Sequence, residues 1–286
     1  MASQSKPLAT SMNARIMGSG STTMVLAHGL GTDQSLWDDL VPFLISSNQY
    51  RVLVFDWAFS GAVEDPTLYN PVMHSSYEGF ASDLVMVLEE MAVTSVIYVG
   101  HSMSGMIGCL ASIKRPELFQ SLFLIGASPR YTNTDGYEGG FEASDIELTI
   151  SAMVSDYAAW VSSFAASIID PNHPAVVDKV RNSYLRMRPD IAVPLVDAVF
   201  HSDYRHILKE VAVPCHIVQT RNDRAAPTSV ALYMKKRIGN STLEMMEVDG
   251  HFPQLTAPEQ LAQLLHRLSG PAASDTAVGS GGGGGS

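Results

Sequence analysis

The chain has 286 residues, 46% hydrophobic and 16% charged, with a formal net charge of -11. This composition suits one large packed α/β domain or two small ones, and an acidic balance with no basic run excludes a surface built to neutralise the phosphates of nucleic acid or of an anionic membrane. No apolar stretch has the length of a membrane span and the N-terminus "MASQSKPLATSMNARIMGSG" lacks the apolar segment of a secretory signal, so a soluble intracellular protein is expected.

In chain order, "STTMVLAH" (21–28) and "RVLVFD" (51–56) are aliphatic, β-branched runs that end in polar or glycine-rich turns, as short buried strands do. "SVIYVG" (95–100), "SLFLIGAS" (121–128), "PCHIVQTRND" (214–223) and "TLEMMEVDGH" (242–251) repeat the theme with helical stretches between them. Strands alternating with helices predict a parallel sheet covered on both faces, with chemistry at the carboxyl ends of the strands. Between Arg130 and Val211 the alternation stops, and the sequence reads as helices that form an inserted lid. The faces of that insertion carry Trp160, Phe164, Tyr184, Met187 and Phe200; most are expected to pack the helices together and a few to line a cavity. The tail "GPAASDTAVGSGGGGGS" cannot bury apolar area and is expected to be disordered. Cys109 and Cys215 make no metal or disulfide framework and read as buried reduced thiols.

The chemistry is concentrated at "VGHSMSGM" (99–106). Gly100-His101-Ser102-Met103-Ser104, then Gly105, reads as the G-x-S-x-G elbow, a strand-to-helix turn that points its central hydroxyl outward. A serine hydroxyl becomes a nucleophile only when a base takes its proton, so Ser102 needs a histidine held in one tautomer by a carboxylate. The elbow fold orders these as Ser, then Asp or Glu, then His. Asp223, just past a strand in "VQTRND", and His251, in the loop "VDGHFPQL", supply that order. Asp249 is the competing carboxylate, but it lies two residues from His251 and reads as a loop residue. His28 and His101, beside glycines in turns, are expected to support the site by hydrogen bonding. An oxyanion requires two donors: the N–H after the nucleophile, on Met103, and one from "AHGLGTDQSLW", for which Leu30 is the candidate. No metal or cofactor is called for.

"HGLGTDQSLW", "GHSMSGMIGCLASIKRPELF", "IGASPRY", "GGFE", "MRPDIA", "VPCHI" and "DGHFPQL" together resemble the plant strigolactone- and karrikin-receptor family of α/β-hydrolases, from about Asn13 to Leu268. "DWAFSGAVEDPTLY" and "GHSMSGMIGC" look closest to its DWARF-like third branch. The resemblance implies an α/β-hydrolase fold, a mostly parallel sheet with helices on both faces and a four-helix V-shaped lid inserted after the sixth strand. It divides the chain into a first core part (13–130), the lid (131–211), a second core part (212–268) and the tail (269–286). It carries the triad over onto Ser102, Asp223 and His251, and implies a pocket for a small apolar lactone, lined by Leu30, Met103, Tyr131, Phe141, Trp160, Phe164 and Phe200. Leu30 stands where an aromatic is common, Met103 replaces a smaller valine, and Arg224 follows the triad aspartate where an apolar residue is usual, which implies a wider, partly charged pocket mouth. The family opens an enol-ether-linked butenolide slowly and couples turnover to recruitment of an F-box protein and a repressor. A monomer of the cytoplasm and nucleus is expected on that basis.

Three functions fit the residues: a receptor-like hydrolase that cleaves a butenolide slowly, an ordinary carboxylesterase, and a binding protein with a vestigial triad. Trp57 and Phe59 suit partner binding or plain packing, with packing expected.

Overall fold

A computed structural model describes residues 6–270; most of the C-terminal tail, from residue 271 on, lies outside the described residues. Seven strands form one sheet in the order β1-β3-β2-β4-β5-β6-β7. They are β1 (Arg15–Met17), β2 (Thr22–Ala27), β3 (Tyr50–Val54), β4 (Val96–His101), β5 (Phe119–Ile125), β6 (Cys215–Arg221) and β7 (Ser241–Asp249). Neighbours are parallel except β1, which runs antiparallel to β3. Strand β4 is buried along its whole length, as an uninterrupted apolar run must be when both sheet faces are covered.

The chain moves from β2 to β3 in one direction across the sheet and from β4 to β7 in the other. Right-handed crossovers running in opposite directions place their helices on opposite faces, so both faces are covered. The reversal leaves a crevice at the carboxyl ends of β2 and β4, the position where open α/β sheets bind ligands. Eight helices of ten residues or more are described: α1 (Tyr77–Glu90), α2 (Met103–Lys114), α3 (Ala143–Ser155), α4 (Tyr157–Ile168), α5 (Pro174–Arg186), α6 (Pro189–Phe200), α7 (Thr228–Arg237) and α8 (Pro258–Ser269). Helix α1 packs on α2, and α7 packs on β6 and β7.

Helices α3 to α6 form the insertion between β5 and β6. It therefore follows the fifth strand of the described residues and not the sixth. The strand absent from the sequence reading, β1, is only three residues long and mostly exposed, too short to display a period-two pattern. Within the insertion Asp156 caps α4 by accepting from the Ala159 N–H at 2.9 Å, which ends α3 and starts α4 within one residue. The rings of Trp160 and Phe164, one turn apart on α4, stack at 4.9 Å, and the Tyr157 hydroxyl donates to the carbonyl of Tyr184 on α5 at 2.7 Å. The insertion is tied to the sheet by Asp33, which accepts from Ser183 Oγ at 2.9 Å and pairs with the Arg186 guanidinium.

Candidate active site

Ser102 leaves β4 with φ 58° and ψ -126°, a backbone region natural to glycine, and α2 begins at the next residue. The turn is held by the Ser102 N–H, which donates to Ile125 O at 2.8 Å, and by the Gly105 N–H, which donates to Ser102 O at 2.9 Å. A Cβ on Gly100 would sit 2.6 Å from the carbonyl oxygen of Ser104, so only glycine fits the first small position. The second small position of the pattern holds Ser104 and not glycine. Its Oγ reaches the His28 carbonyl at 2.5 Å, so this side chain braces the loop after β2.

Asp223 and His251 meet as the chain order predicts. His251 Nδ1–H donates to Asp223 Oδ2 at 2.7 Å, with both side chains almost wholly removed from solvent. Asp223 Oδ1 accepts the N–H groups of Ala225 and Ala226 at 2.8 and 3.0 Å, which fixes the carboxylate and leaves one oxygen for the imidazole. Asn222 reaches this turn at φ 50°, a conformation that asparagine tolerates better than most residues. Asp249 faces outward and pairs with Arg221 at 3.1 Å, so it is no partner of His251.

The loop carrying His251 is held from two sides. Its N–H donates to Ile168 O, at the end of α4, at 2.8 Å, and its carbonyl accepts from His101 Nε2 at 2.8 Å. Burial pushes the His101 imidazole well below the usual histidine range, so it stays neutral with its proton on Nε2. Gly126 completes the cradle. At φ 54° it brings bare backbone beside the pair, where a Cβ would lie 3.0 Å from His251 Nδ1 and 3.1 Å from Asp223 Oδ2. No pattern signal marks this residue beyond a glycine at the end of a strand.

Ser102 Oγ and His251 line one chamber, but among the described residues no hydrogen bond joins them. Oγ instead lies 3.5 Å from the hydroxyl of Tyr131. Burial pushes the Tyr131 phenol up to about 12, so it is a neutral donor.

The alpha/beta hydrolase family profile matches residues 24–264. The chain belongs to the alpha/beta hydrolase family. Among curated proteins it is 44% identical over 257 residues to "Karrikin insensitive 2 receptor CA" of Petunia hybrida, covering 89% of this chain and 94% of that protein. It is 43% identical over 261 residues to a strigolactone esterase of Pisum sativum, covering 91% and 97%. Among solved structures, a hydrolase from Oleispira antarctica superposes with a TM-score of 0.88 at 31% identity, covering 91% of this chain and 95% of that one.

The chamber of this hydrolase lies between the sheet and the inserted helices. Of the residues expected around it, Leu30, Tyr131, Phe164 and Phe200 line it. Phe141 and Trp160 do not: Phe141 packs edge-on against Phe200 at 5.1 Å, and Trp160 lies flat on Phe164, so both back the wall and do not form it. The Met103 side chain is fully buried away from the lining, which leaves its N–H as its contribution to the site. Arg224 is also displaced from its expected place. The two N–H bonds onto Asp223 turn the chain so that Arg224 is exposed in a separate outer groove with Asn222, Asp249 and Asp170. The lining also includes Ile168, Val199 and Ala225, small or aliphatic positions with no motif of their own, Phe252, the residue after His251, and Tyr184, which the insertion's aromatic faces suggested. Trp57 and Phe59 are buried, 0% and 1% exposed, which places them in the core and off any docking surface.

Proposed function

We propose that the protein is a receptor-like serine hydrolase that binds and slowly cleaves a butenolide-bearing lactone. Two observations support this reading: the His251–Asp223 hydrogen bond, and a mainly apolar chamber beneath α4, α5 and α6 that Ser102 and His251 both line. The 2.7 Å bond from His251 Nδ1–H to Asp223 leaves Nε2 as the unprotonated nitrogen, able to take the Ser102 proton. Rotation of Ser102 away from Tyr131 brings Oγ onto the carbonyl carbon of a bound lactone. The developing oxyanion falls to the N–H groups of Leu30 and Met103, and His251 returns its proton to the leaving oxygen; a water that His251 then deprotonates attacks the Ser102 ester, releasing the acid and returning the proton to Oγ. Tyr131, neutral and 3.5 Å from Oγ, is placed to hold the ligand's ring oxygen.

An apolar chamber with few polar groups suits a small lactone better than a charged ester. The near-equal identities to a karrikin receptor, 44%, and to strigolactone esterases, 43% and 41%, support a ligand of the same class, and support placing the chain beside both groups instead of inside either. The test is turnover of a fluorogenic butenolide by the purified protein and by Ser102→Ala. Release of fluorophore by the wild type alone, with ligand-induced thermal stabilisation preserved in the variant, is the expected result. Binding without release in both would leave a binding protein, and rapid turnover of simple acetate esters without butenolide preference would leave an ordinary carboxylesterase. Ligand-dependent capture of an F-box protein tests the signalling role that the family resemblance implies.

A further inference from the structure

His28 is fully buried directly after β2 and is not among the groups that line the chamber, yet both its ring nitrogens and its carbonyl are hydrogen-bonded. Its ring nitrogens face two backbone groups of opposite kind. The Trp57 N–H, which can only donate, reaches Nε2 at 3.0 Å; the Gly29 carbonyl, which can only accept, lies 3.0 Å from Nδ1. Only the neutral tautomer with its proton on Nδ1 satisfies both. Burial, which lowers the affinity of this imidazole for a second proton, keeps it in that form. The His28 carbonyl is fixed as well, accepting from Trp57 Nε1 at 2.9 Å and from Ser104 Oγ.

The Gly29 carbonyl receives two further bonds, from Thr32 Oγ1 at 3.0 Å and from the Thr32 N–H at 3.5 Å. It is therefore pinned on the His28 and Thr32 side. No cis peptide occurs among the described residues, so the Gly29–Leu30 unit is trans and its N–H points opposite to its C=O. Gly29 lies against the elbow, where a Cβ on it would be 3.0 Å from Ser102 Cβ, and Leu30 lines the chamber. Among the described residues, the Leu30 N–H donates to no protein acceptor.

We propose that His28 is a positioning residue that locks the Gly29–Leu30 peptide with its N–H turned toward Ser102, so that the oxyanion hole is formed before ligand binds. The inference rests on the hydrolytic reading above. A peptide free to flip would present its carbonyl to the oxyanion and forfeit one donor. Two replacements separate this role from general support of the fold. Asparagine places an amide N–H near the Nδ1 position and keeps the bond to Gly29 O, while losing the acceptor for Trp57. Glutamine places its carbonyl near the Nε2 position and keeps the Trp57 bond, while losing the lock.

The experiment measures kcat and KM for a fluorogenic butenolide, normalised to folded fraction, together with the affinity of a boronic acid that forms a tetrahedral adduct on Ser102. His28→Gln should lower kcat about 100- to 1000-fold, the loss typical of one oxyanion donor. KM should stay within about threefold, and boronate affinity should fall in proportion to kcat, since only the transition state and its analogue use the donor. His28→Asn should keep kcat within about tenfold of wild type, because the donor stays in place. Equal kcat losses in the two variants, or a loss confined to KM, would overturn the proposal. Should neither variant fold, Thr32→Val, which removes the hydroxyl's bond to Gly29 O at nearly constant volume, should still lower kcat several-fold, and an unchanged kcat would overturn the proposal. A wild type that turns over nothing defeats the hydrolytic reading and this inference together; an active wild type with equivalent histidine variants defeats this inference alone.

Discussion

Replacing Ser102 by glycine is expected to stabilise the protein while ending its chemistry. The backbone at φ 58° and ψ -126° is one that a side-chain-bearing residue holds at a cost of about 1–3 kcal/mol. Glycine relieves that strain but gives back about 0.5–1 kcal/mol through its greater freedom in the unfolded chain. Ser102→Ala is the matched reference: it removes the same hydroxyl, whose only hydrogen-bond partner among the described residues is Tyr131 at 3.5 Å, yet keeps the Cβ that causes the strain. The glycine variant should therefore exceed the alanine variant by about 1 kcal/mol, or about 2–4 °C in melting temperature for a domain of this size class. Thermal unfolding followed by circular dichroism measures the difference directly, and both variants should lack hydrolysis. A glycine variant that melts at or below the alanine variant would refute the claim that the elbow stores strain.

Gly126→Ala would press a methyl group between His251 and Asp223, and should lower kcat at least about 100-fold while the far-UV spectrum stays native; near-wild-type turnover would show that the pair has room to spare. At Asp33, burial alone would raise the pKa, but hydrogen bonds from Ser35 and Ser183 and the Arg186 guanidinium outweigh it and bring the carboxyl to about 2 from 3.8. Its stabilisation is therefore full above about pH 4 and lost as pH falls to about 2. Asp33→Asn should be less stable than wild type at neutral pH and equal to it near pH 2, as read by urea midpoints; a gap that persists at pH 2 would mean that the carboxylate's charge is not the source. Arg224→Val should leave the ligand-preference profile unchanged, whereas Phe164→Ala should shift preference toward bulkier lactones. A changed profile in the arginine variant would return Arg224 to the chamber mouth.

The sheet was legible because its central strands are continuous apolar runs, and the elbow because a buried strand, a serine among small residues and a helix occur together. Asp223 and His251 were legible from chain order and from their places past strand ends. The residues that cradle them were not. Gly126 acts through the side chain it lacks, and the bond from His101 to the His251 carbonyl joins residues 150 positions apart, a contact no local pattern encodes. The chamber lining was legible only in part for a similar reason. Which aromatic faces inward on a helix such as α4 depends on how that helix is rolled by its neighbours, so Phe164 points into the chamber while Trp160, one turn earlier, lies behind it. Arg224 was misplaced because sequence adjacency to Asp223 says nothing about the turn that the two N–H bonds onto that carboxylate impose.

The central claim is that one serine is made nucleophilic by the histidine and aspartate beside it, under a helical roof. Intact-protein mass spectrometry after incubation with a fluorophosphonate, followed by peptide mapping, tests it most directly. A single adduct on Ser102, absent in Ser102→Ala and formed far more slowly in His251→Ala and Asp223→Ala, is the predicted outcome. No adduct on the wild type, or one formed at the same rate without His251, would contradict it.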